Sequence, residues 1–132
     1  MKVKLGELKE MTKNLSNLME KNFPVRAHYA ISRNLSKLLS EFREYDNNRE
    51  ELCKKFARKD KDNNPVLIDG KYDIPDDSMK EFSDSICELR DTEIEVDILA
   101  ISVSEFEKCN ENPRFDLPTG PDFLNMIFML KD

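Results

Sequence analysis

Residues 25–57 read VRAHYAISRNLSKLLSEFREYDNNREELCKKFA, a run without Gly or Pro that decides the fold. Along it, residues recur in alternating four- and three-residue steps at Ile31, Leu35, Leu38, Phe42, Tyr45, Arg49, Leu52 and Phe56. We call these eight residues the seam; Arg49 is its one charged member. This spacing is typical of one face of a helix that packs against other helices. Because Pro24 suits the first turn of a helix, we predict one long helix over residues 25–57.

The predicted helix is long for the size of the chain. At about 1.5 Å per residue it would extend roughly 50 Å, which is more than the width of a compact domain of this size. We therefore expect that the helix either bends or projects in part. Asp46, Asn47 and Asn48 form its weakest stretch, because Asp and Asn side chains compete for backbone hydrogen bonds. A break or kink is predicted there.

Shorter elements flank the long helix. Apolar residues at three- and four-residue steps predict a first helix over residues 5–22. After the long helix, Asp69 and Gly70 lie between two strand-like runs, residues 66–68 and 71–74, and this dipeptide favours a two-residue hairpin turn. Beyond Pro75, a helical stripe predicts a third helix that ends near residue 91. The residues of this stripe are Met79, Phe82, Ile86 and Leu89.

The last third of the chain predicts one strand and two short helices. Residues 92–98 alternate between Ile94, Val96 and Ile98 on one face and Glu93, Glu95 and Asp97 on the other. Strict alternation is typical of a strand with one solvent-exposed face. Ser104 can cap a short helical turn, and Thr119 or Asp122 can begin a final helix. We therefore predict a single α+β domain over residues 1–132, mainly helical, with one long central helix packed on shorter helices and a small antiparallel β-hairpin or sheet.

Charge and composition exclude several functional classes. The chain of 132 residues has 27 acidic and 21 basic side chains, a formal net charge of −6. Nucleic acid is not an expected partner, because this charge repels phosphate backbones. No run approaches the roughly 20 apolar residues of a membrane span, and the first residues do not form a secretory signal. Three cysteines without paired spacing indicate the reducing cytoplasm.

The residues that usually carry catalysis are sparse. His28 is the only histidine. On a continuous helix it lies about 37 Å from Cys53, too far for a hydrogen-bonded dyad or a shared zinc ion. The three glycines are isolated, so they do not form a phosphate-binding loop. We predict no catalytic residue, no metal site and no cofactor, and therefore a protein that is not an enzyme.

Two surfaces remain as candidate binding sites. Arg26, His28, Tyr29 and Arg33 lie within about two turns at the start of the long helix, where they could receive an anion. The alternative is a pair of arginines bridged to nearby acids. Glu93, Glu95 and Asp97 form an acidic strand face that could meet a basic partner. The alternative here is an ordinary solvated strand face.

Several short structural motifs follow one another in a recognisable order along nearly the whole chain. These are MKVKL at residues 1–5, Pro24 with Tyr29 and Arg33-Asn34, DKDNN at 60–64 before KYDI at 71–74, EIEVDI at 93–98, and LPT at 117–119 before FML at 128–130. In this order of features the chain resembles a family of small proteins encoded by phages and prophages of Gram-positive bacteria. The resemblance implies a phage origin, and with it the cytoplasm of a host cell, and assigns no activity or functional residue.

Three functions are compatible with these observations. The first is a phage-encoded, non-enzymatic accessory protein that binds a host or phage protein, for example to inhibit a host defence system; the seam supplies more apolar surface than a small domain covers. A homo-oligomer formed through the same seam is its simplest version. The second is a structural or assembly component of the virion or its tail. The third is sequestration of a small anionic nucleotide at Arg26 and Arg33.

Overall fold

The computed structural model describes all 132 residues and shows an α+β fold dominated by helices. The helices are α1 (Leu8–Leu18), α2 (Val25–Phe56), α3 (Asp76–Asp91), α4 (Lys108–Glu111) and α5 (Gly120–Met126). The strands are β1 (Lys2–Lys4), β2 (Leu67–Ile68), β3 (Lys71–Tyr72), β4 (Glu93–Glu95), β5 (Ile101–Ser102) and β6 (Leu130–Lys131). The predicted fold class is confirmed, with one long helix packed on shorter ones. No helix combines the length and the apolar character needed to cross a membrane.

Helix α2 confirms the predicted long helix, and the predicted break in it is wrong. It is unbroken for about 48 Å. The weak stretch stays helical because its polar side chains bond within the helix. The Arg49 Nη2 atom lies 3.1 Å from the Asp46 Oδ1 atom, and the Asn48 amide donates to the Glu44 carbonyl at 2.8 Å. The ion pair occupies the Asp46 side chain, and the Asn48 side chain bonds to a carbonyl one turn earlier without interrupting the helix.

The core lies around the first half of α2. On this helix Ala27, Ala30, Ile31, Leu38 and Tyr45 are buried. They pack in one cluster with residues of α1 and of the C-terminal elements, which are Leu8, Leu15, Leu18, Phe106, Met126 and Met129. Each fully buried large apolar side chain contributes about 1.5–3 kcal/mol. We call residues 1–45 and 86–132 the body.

The remaining residues, 46–85, form a thinly buried arm. The arm consists of the last turns of α2, the β2–β3 hairpin and the first part of α3, and Ala57 is its only buried residue. Leu52, Phe56 and Phe82 are half-buried, and the two phenylalanine rings pack edge to face with centroids 5.9 Å apart. The seam is therefore deeply buried only as far as Tyr45, and beyond that point α2 continues into the arm.

The predicted hairpin is confirmed in the arm, where the Tyr72 hydroxyl donates to the Glu50 carboxylate of α2 at 3.1 Å. Strands β2 and β3 pair antiparallel, with Leu67 opposite Tyr72. Both turn residues have positive φ, 52° at Asp69 and 79° at Gly70. This is the backbone of a type I′ turn, which requires positive φ at both central positions and therefore favours Asp-Gly.

The body also contains two strand pairs, and local sequence patterns do not reveal either of them. β1 pairs antiparallel with β4, and β5 pairs parallel with β6. The first pair corrects the predicted start of the first helix. Residues 2–4 are extended, Leu5–Glu7 is a 3-10 turn, and α1 begins only at Leu8 and ends at Leu18. The Leu5 amide donates to the Thr92 carbonyl at 2.9 Å, so tertiary pairing overrides the helical periodicity.

The predictions for the last third of the chain are partly correct. The expected strand over residues 92–98 keeps its alternation of burial, but the regular strand ends at Glu95, and beyond it Asp97 and Leu99 bond to side chains of α2. Ser102, not Ser104, caps the following helical turn, with its hydroxyl accepting from the Ser104 amide at 3.2 Å. The final helix begins as expected, since Thr119 and Asp122 form a reciprocal capping box.

Candidate functional site

A groove of about 520 Å³ lies in the body, between the start of α2 and the segment that contains β5. The α2 wall consists of Val25, Arg26 and Tyr29. Residues 99–102 form the opposite wall, with Glu105 and Lys131 beside it. Grooves of roughly 300–1,000 Å³ are typical of small-molecule sites.

The lining of the groove is largely apolar. The Tyr29 side chain presents its ring to solvent and is 55% exposed. Val25 and Leu99 are also exposed apolar residues, whereas Ile101 is buried and belongs to the core cluster. An apolar concave surface that remains open to solvent gains free energy when an apolar ligand covers it.

Of the charged residues that line the groove, two are cations, Arg26 and Lys131, and one is an acid, Glu105. Arg26 is largely exposed, and its Nη1 atom lies 3.7 Å from the Glu105 Oε1 atom. Glu105 is already occupied, because its other carboxylate oxygen accepts a hydrogen bond from the Lys108 ammonium at 2.7 Å. That hydrogen bond, together with the charges of Lys108 and Arg26, holds the pKa of Glu105 below its usual value, although burial opposes the shift. Arg26 therefore keeps most of its donors available.

A second cation lines the groove, and a third lies beside it. The Arg33 guanidinium donates to the Tyr29 hydroxyl at 3.2 Å and makes no ion pair. Lys131 lines the groove and has no acidic side chain within salt-bridge distance, although Asp132 follows it in the chain. The groove thus combines an apolar surface with a positive rim.

Asn34 holds the far wall of the groove in place. Its side chain is completely buried, and its amide donates to the Leu99 carbonyl at 2.9 Å while its Oδ1 atom accepts from the Leu99 amide at 2.8 Å. One turn later, the Lys37 ammonium donates to the Asp97 carbonyl at 2.7 Å. α2 therefore supplies one wall directly and fixes the other through a two-point hydrogen bond.

Three of the four residues predicted as an anion site come together. Arg26 and Tyr29 line the groove, and Arg33 joins them through the tyrosine hydroxyl. His28 is exposed and does not line the groove, because it lies about 100° from Tyr29 around the helix axis. Asn34 was missed as a functional residue, although an amide within the buried stripe of Ile31 and Leu38 is a signal that could have identified it.

The predicted acidic strand face is exposed, but cations of the same chain adjoin it. The Met1 ammonium donates to the Glu95 carboxylate at 2.8 Å, and this hydrogen bond lowers the pKa of Glu95. Lys4 lies opposite Glu93 in the β1–β4 register. The Asp97 carboxylate lies 3.6 Å from the Lys37 ammonium. A basic partner at this face remains a prediction, and it would have to compete with these cations.

The cysteines occupy three different environments. Cys87 is exposed, Cys53 is half-buried and Cys109 is buried. Burial raises the pKa of the Cys109 thiol, which donates to the Asp116 carbonyl at 3.3 Å. Because α2 is continuous, His28 and Cys53 lie about 37 Å apart along it. No three His, Cys, Asp or Glu side chains cluster closely enough to hold a metal ion.

No protein-family model, curated protein or solved structure matches the chain. The groove and the arm are therefore the features on which a functional proposal depends.

Proposed function

We propose that this chain is a phage-encoded, non-enzymatic accessory protein that binds a host or phage protein in the host cytoplasm through its arm. The observation that carries the proposal is the thin burial of residues 46–85, where Ala57 alone is buried. A segment of this length normally contributes several side chains to a core. Its half-buried apolar residues gain further stabilisation only when a second surface covers them.

The arm presents apolar side chains that a partner would cover. Leu67 and Ile68 are 54% and 57% exposed in the hairpin, and Met79 is 43% exposed on the first turn of α3. Exposed large apolar residues are common singly, and Leu67 and Ile68, as neighbours in one strand, place one such side chain on each face of the hairpin. A partner gains free energy by covering either of these apolar side chains. Met adds adaptability, because its flexible side chain fits irregular surfaces.

The charge of the arm indicates the chemistry of its partner. Residues 46–85 contain 11 acidic and 8 basic side chains, a net charge of −3. We expect a protein partner with an apolar patch bordered by basic residues, because complementary charge favours encounter and register. Bound to a defence protein, the arm would act as a steric inhibitor. The phage origin in this proposal depends on the family resemblance.

Affinity capture with the full chain tests the proposal. The tagged protein is incubated with lysate of infected and uninfected host cells, and captured proteins are identified by mass spectrometry. The test variant carries Leu67→Asp and Ile68→Asp. The matched control is Leu124→Asp, which makes the same change at a 70% exposed leucine of α5 in the body. Thermal melting establishes that both variants fold.

We expect the wild type and the control to capture one specific partner. The double variant should bind that partner with an affinity at least about tenfold weaker than the wild type and should therefore lose it in the capture. Capture by the double variant at wild-type strength would exclude the arm. A concentration-dependent oligomer that the double variant abolishes would replace the partner by a second copy of the chain. Recovery of the protein in purified virions would favour the structural role instead.

A further inference from the structure

We infer that the groove between α2 and residues 99–102 binds a small organic phosphate that carries a flat apolar ring system, the chemistry of a mononucleotide. This site is independent of the arm, since its lining residues all belong to the body. The inference depends on three properties of the groove, which are its volume, its exposed aromatic surface and the two cations that line it.

The volume fits a small molecule. About 520 Å³ of open space lies between two walls that are each fixed to the same helix. α2 forms one wall, and the Asn34 side chain holds the other through both polar groups of Leu99. A groove whose walls are fixed before binding loses little conformational entropy when a ligand enters it.

Tyr29 provides the aromatic surface on which the flat ring system of the ligand stacks. Its ring is exposed beside Val25 and Leu99, and its hydroxyl accepts a hydrogen bond from Arg33 at 3.2 Å. The arginine therefore restrains the tyrosine side chain. An aromatic ring held in this way can stack on a base of any identity, because every base presents a π-face.

Arg26 and Lys131 provide the sites for the phosphate. Both line the groove, and Lys131 has no acidic side chain within salt-bridge distance. Arg26 makes only a long contact with Glu105, whose carboxylate is occupied by Lys108. Two phosphate oxygens can thus accept hydrogen bonds from the free N–H groups of the planar Arg26 guanidinium. Glu105 and Asp132 limit the affinity by repulsion, which favours one phosphate over a polyphosphate chain.

Titration of the full chain with three probes tests the inference. The probes are AMP, adenosine and inorganic phosphate, followed by calorimetry and by backbone amide NMR shifts. We expect AMP to bind and to shift the amides of residues 99–102, with adenosine and phosphate each at least about tenfold weaker. GMP, CMP and UMP should bind within about tenfold of AMP, because stacking does not select the base.

Variants distinguish the groove from the rest of the surface. Arg26→Ala and Tyr29→Leu should each weaken AMP binding by about tenfold or more. Arg43→Ala is the matched control, because Arg43 is an exposed arginine of α2 that does not line the groove. Thermal melting verifies folding, and capture of the arm's protein partner should be unchanged in all three variants.

Three results would overturn the inference. The first is the absence of amide shifts with any of the four nucleotides at about 5 mM, a concentration above the dissociation constant of a weak site. The second is an equal affinity for phosphate and AMP, which would show that the groove does not recognise the ring system of the nucleotide. The third is an undiminished affinity in a folded Arg26→Ala or Tyr29→Leu variant.

Discussion

The change Asn34→Asp tests how the far wall of the groove is held. Asn34 is completely buried and forms two hydrogen bonds with Leu99, one through its amide and one through Oδ1. Aspartate has nearly the same shape and retains the acceptor for the Leu99 amide. It lacks the NH₂ donor, so the Leu99 carbonyl would face a carboxylate oxygen. We therefore expect the variant to keep its packing and to lose its hydrogen-bond complementarity.

The expected cost follows from the local environment. Loss of one hydrogen bond costs about 0.5–1.5 kcal/mol, and an unsatisfied buried acceptor adds about 1–3 kcal/mol. Leu99 is partly exposed, so water can relieve some of the second cost. The nearby Lys37 ammonium is already bonded to the Asp97 carbonyl. We expect a decrease of about 2–4 kcal/mol in the free energy of unfolding at neutral pH.

The pH dependence gives the prediction a second readout. Burial should raise the pKa of the new carboxyl group in the folded state above its unfolded value of about 3.9. The protonated acid can donate to the Leu99 carbonyl, so the variant recovers stability at low pH and loses it as pH rises through the folded pKa. The deficit relative to wild type should therefore be larger at about pH 8 than at about pH 5.

Urea unfolding followed by circular dichroism at both pH values measures these effects. Asn47→Asp is the matched control, because Asn47 is an exposed residue of the same helix. The control should change stability by less than about 0.5 kcal/mol. If Asn34→Asp behaved like the control, with no pH dependence, Asn34 would not hold the groove wall.

Three further predictions concern the core, a helix cap and the cysteines. Leu38→Ala should lower the free energy of unfolding by about 3–5 kcal/mol because it leaves a core cavity, whereas Leu52→Ala in the arm should cost about 1 kcal/mol; denaturant titration compares them. Thr119→Ala removes the cap of α5 and should cost about 0.5–2 kcal/mol in the same assay, and a neutral effect would contradict the capping box. Iodoacetamide at pH 8 should modify the exposed Cys87 well before Cys109, whose pKa burial raises, as peptide mass spectrometry can show; equal rates would contradict the burial of Cys109.

Elements that depend on local chemistry could be predicted from the sequence. α2 begins after Pro24 and ends within one residue of the predicted position, because an uninterrupted helical pattern is a local property. The Asp69-Gly70 turn follows in the same way from the backbone freedom of these two residues. The break predicted at residues 46–48 from intrinsic propensity does not occur, because propensity is only a weak guide within a long helix.

Elements that depend on distant pairing could not be predicted. The β1–β4 and β5–β6 pairs join segments far apart in the chain, and strands of two or three residues give almost no periodic signal. The residues of the candidate site also fall into a locally predictable group and a group placed by tertiary structure. Arg26, Tyr29 and Arg33 share one helix face and were found by spacing, whereas Leu99 and Lys131 reach the groove only through the tertiary fold.

The pairing of distant segments also determines when the protein can fold during synthesis. The body needs residues on both sides of the arm, as in the Asn34–Leu99 bonds and the bond from the Asp116 amide to the Asn22 carbonyl. The arm joins residues that are close in the chain, so its turns can form as soon as they leave the ribosome. α1 can pack on α2 early, but the part of α2 that contacts Phe106, Met126 and Met129 stays uncovered until the last third of the chain emerges. Ribosome-bound chains that end before residue 92 would therefore depend on chaperones to keep that helix from aggregating.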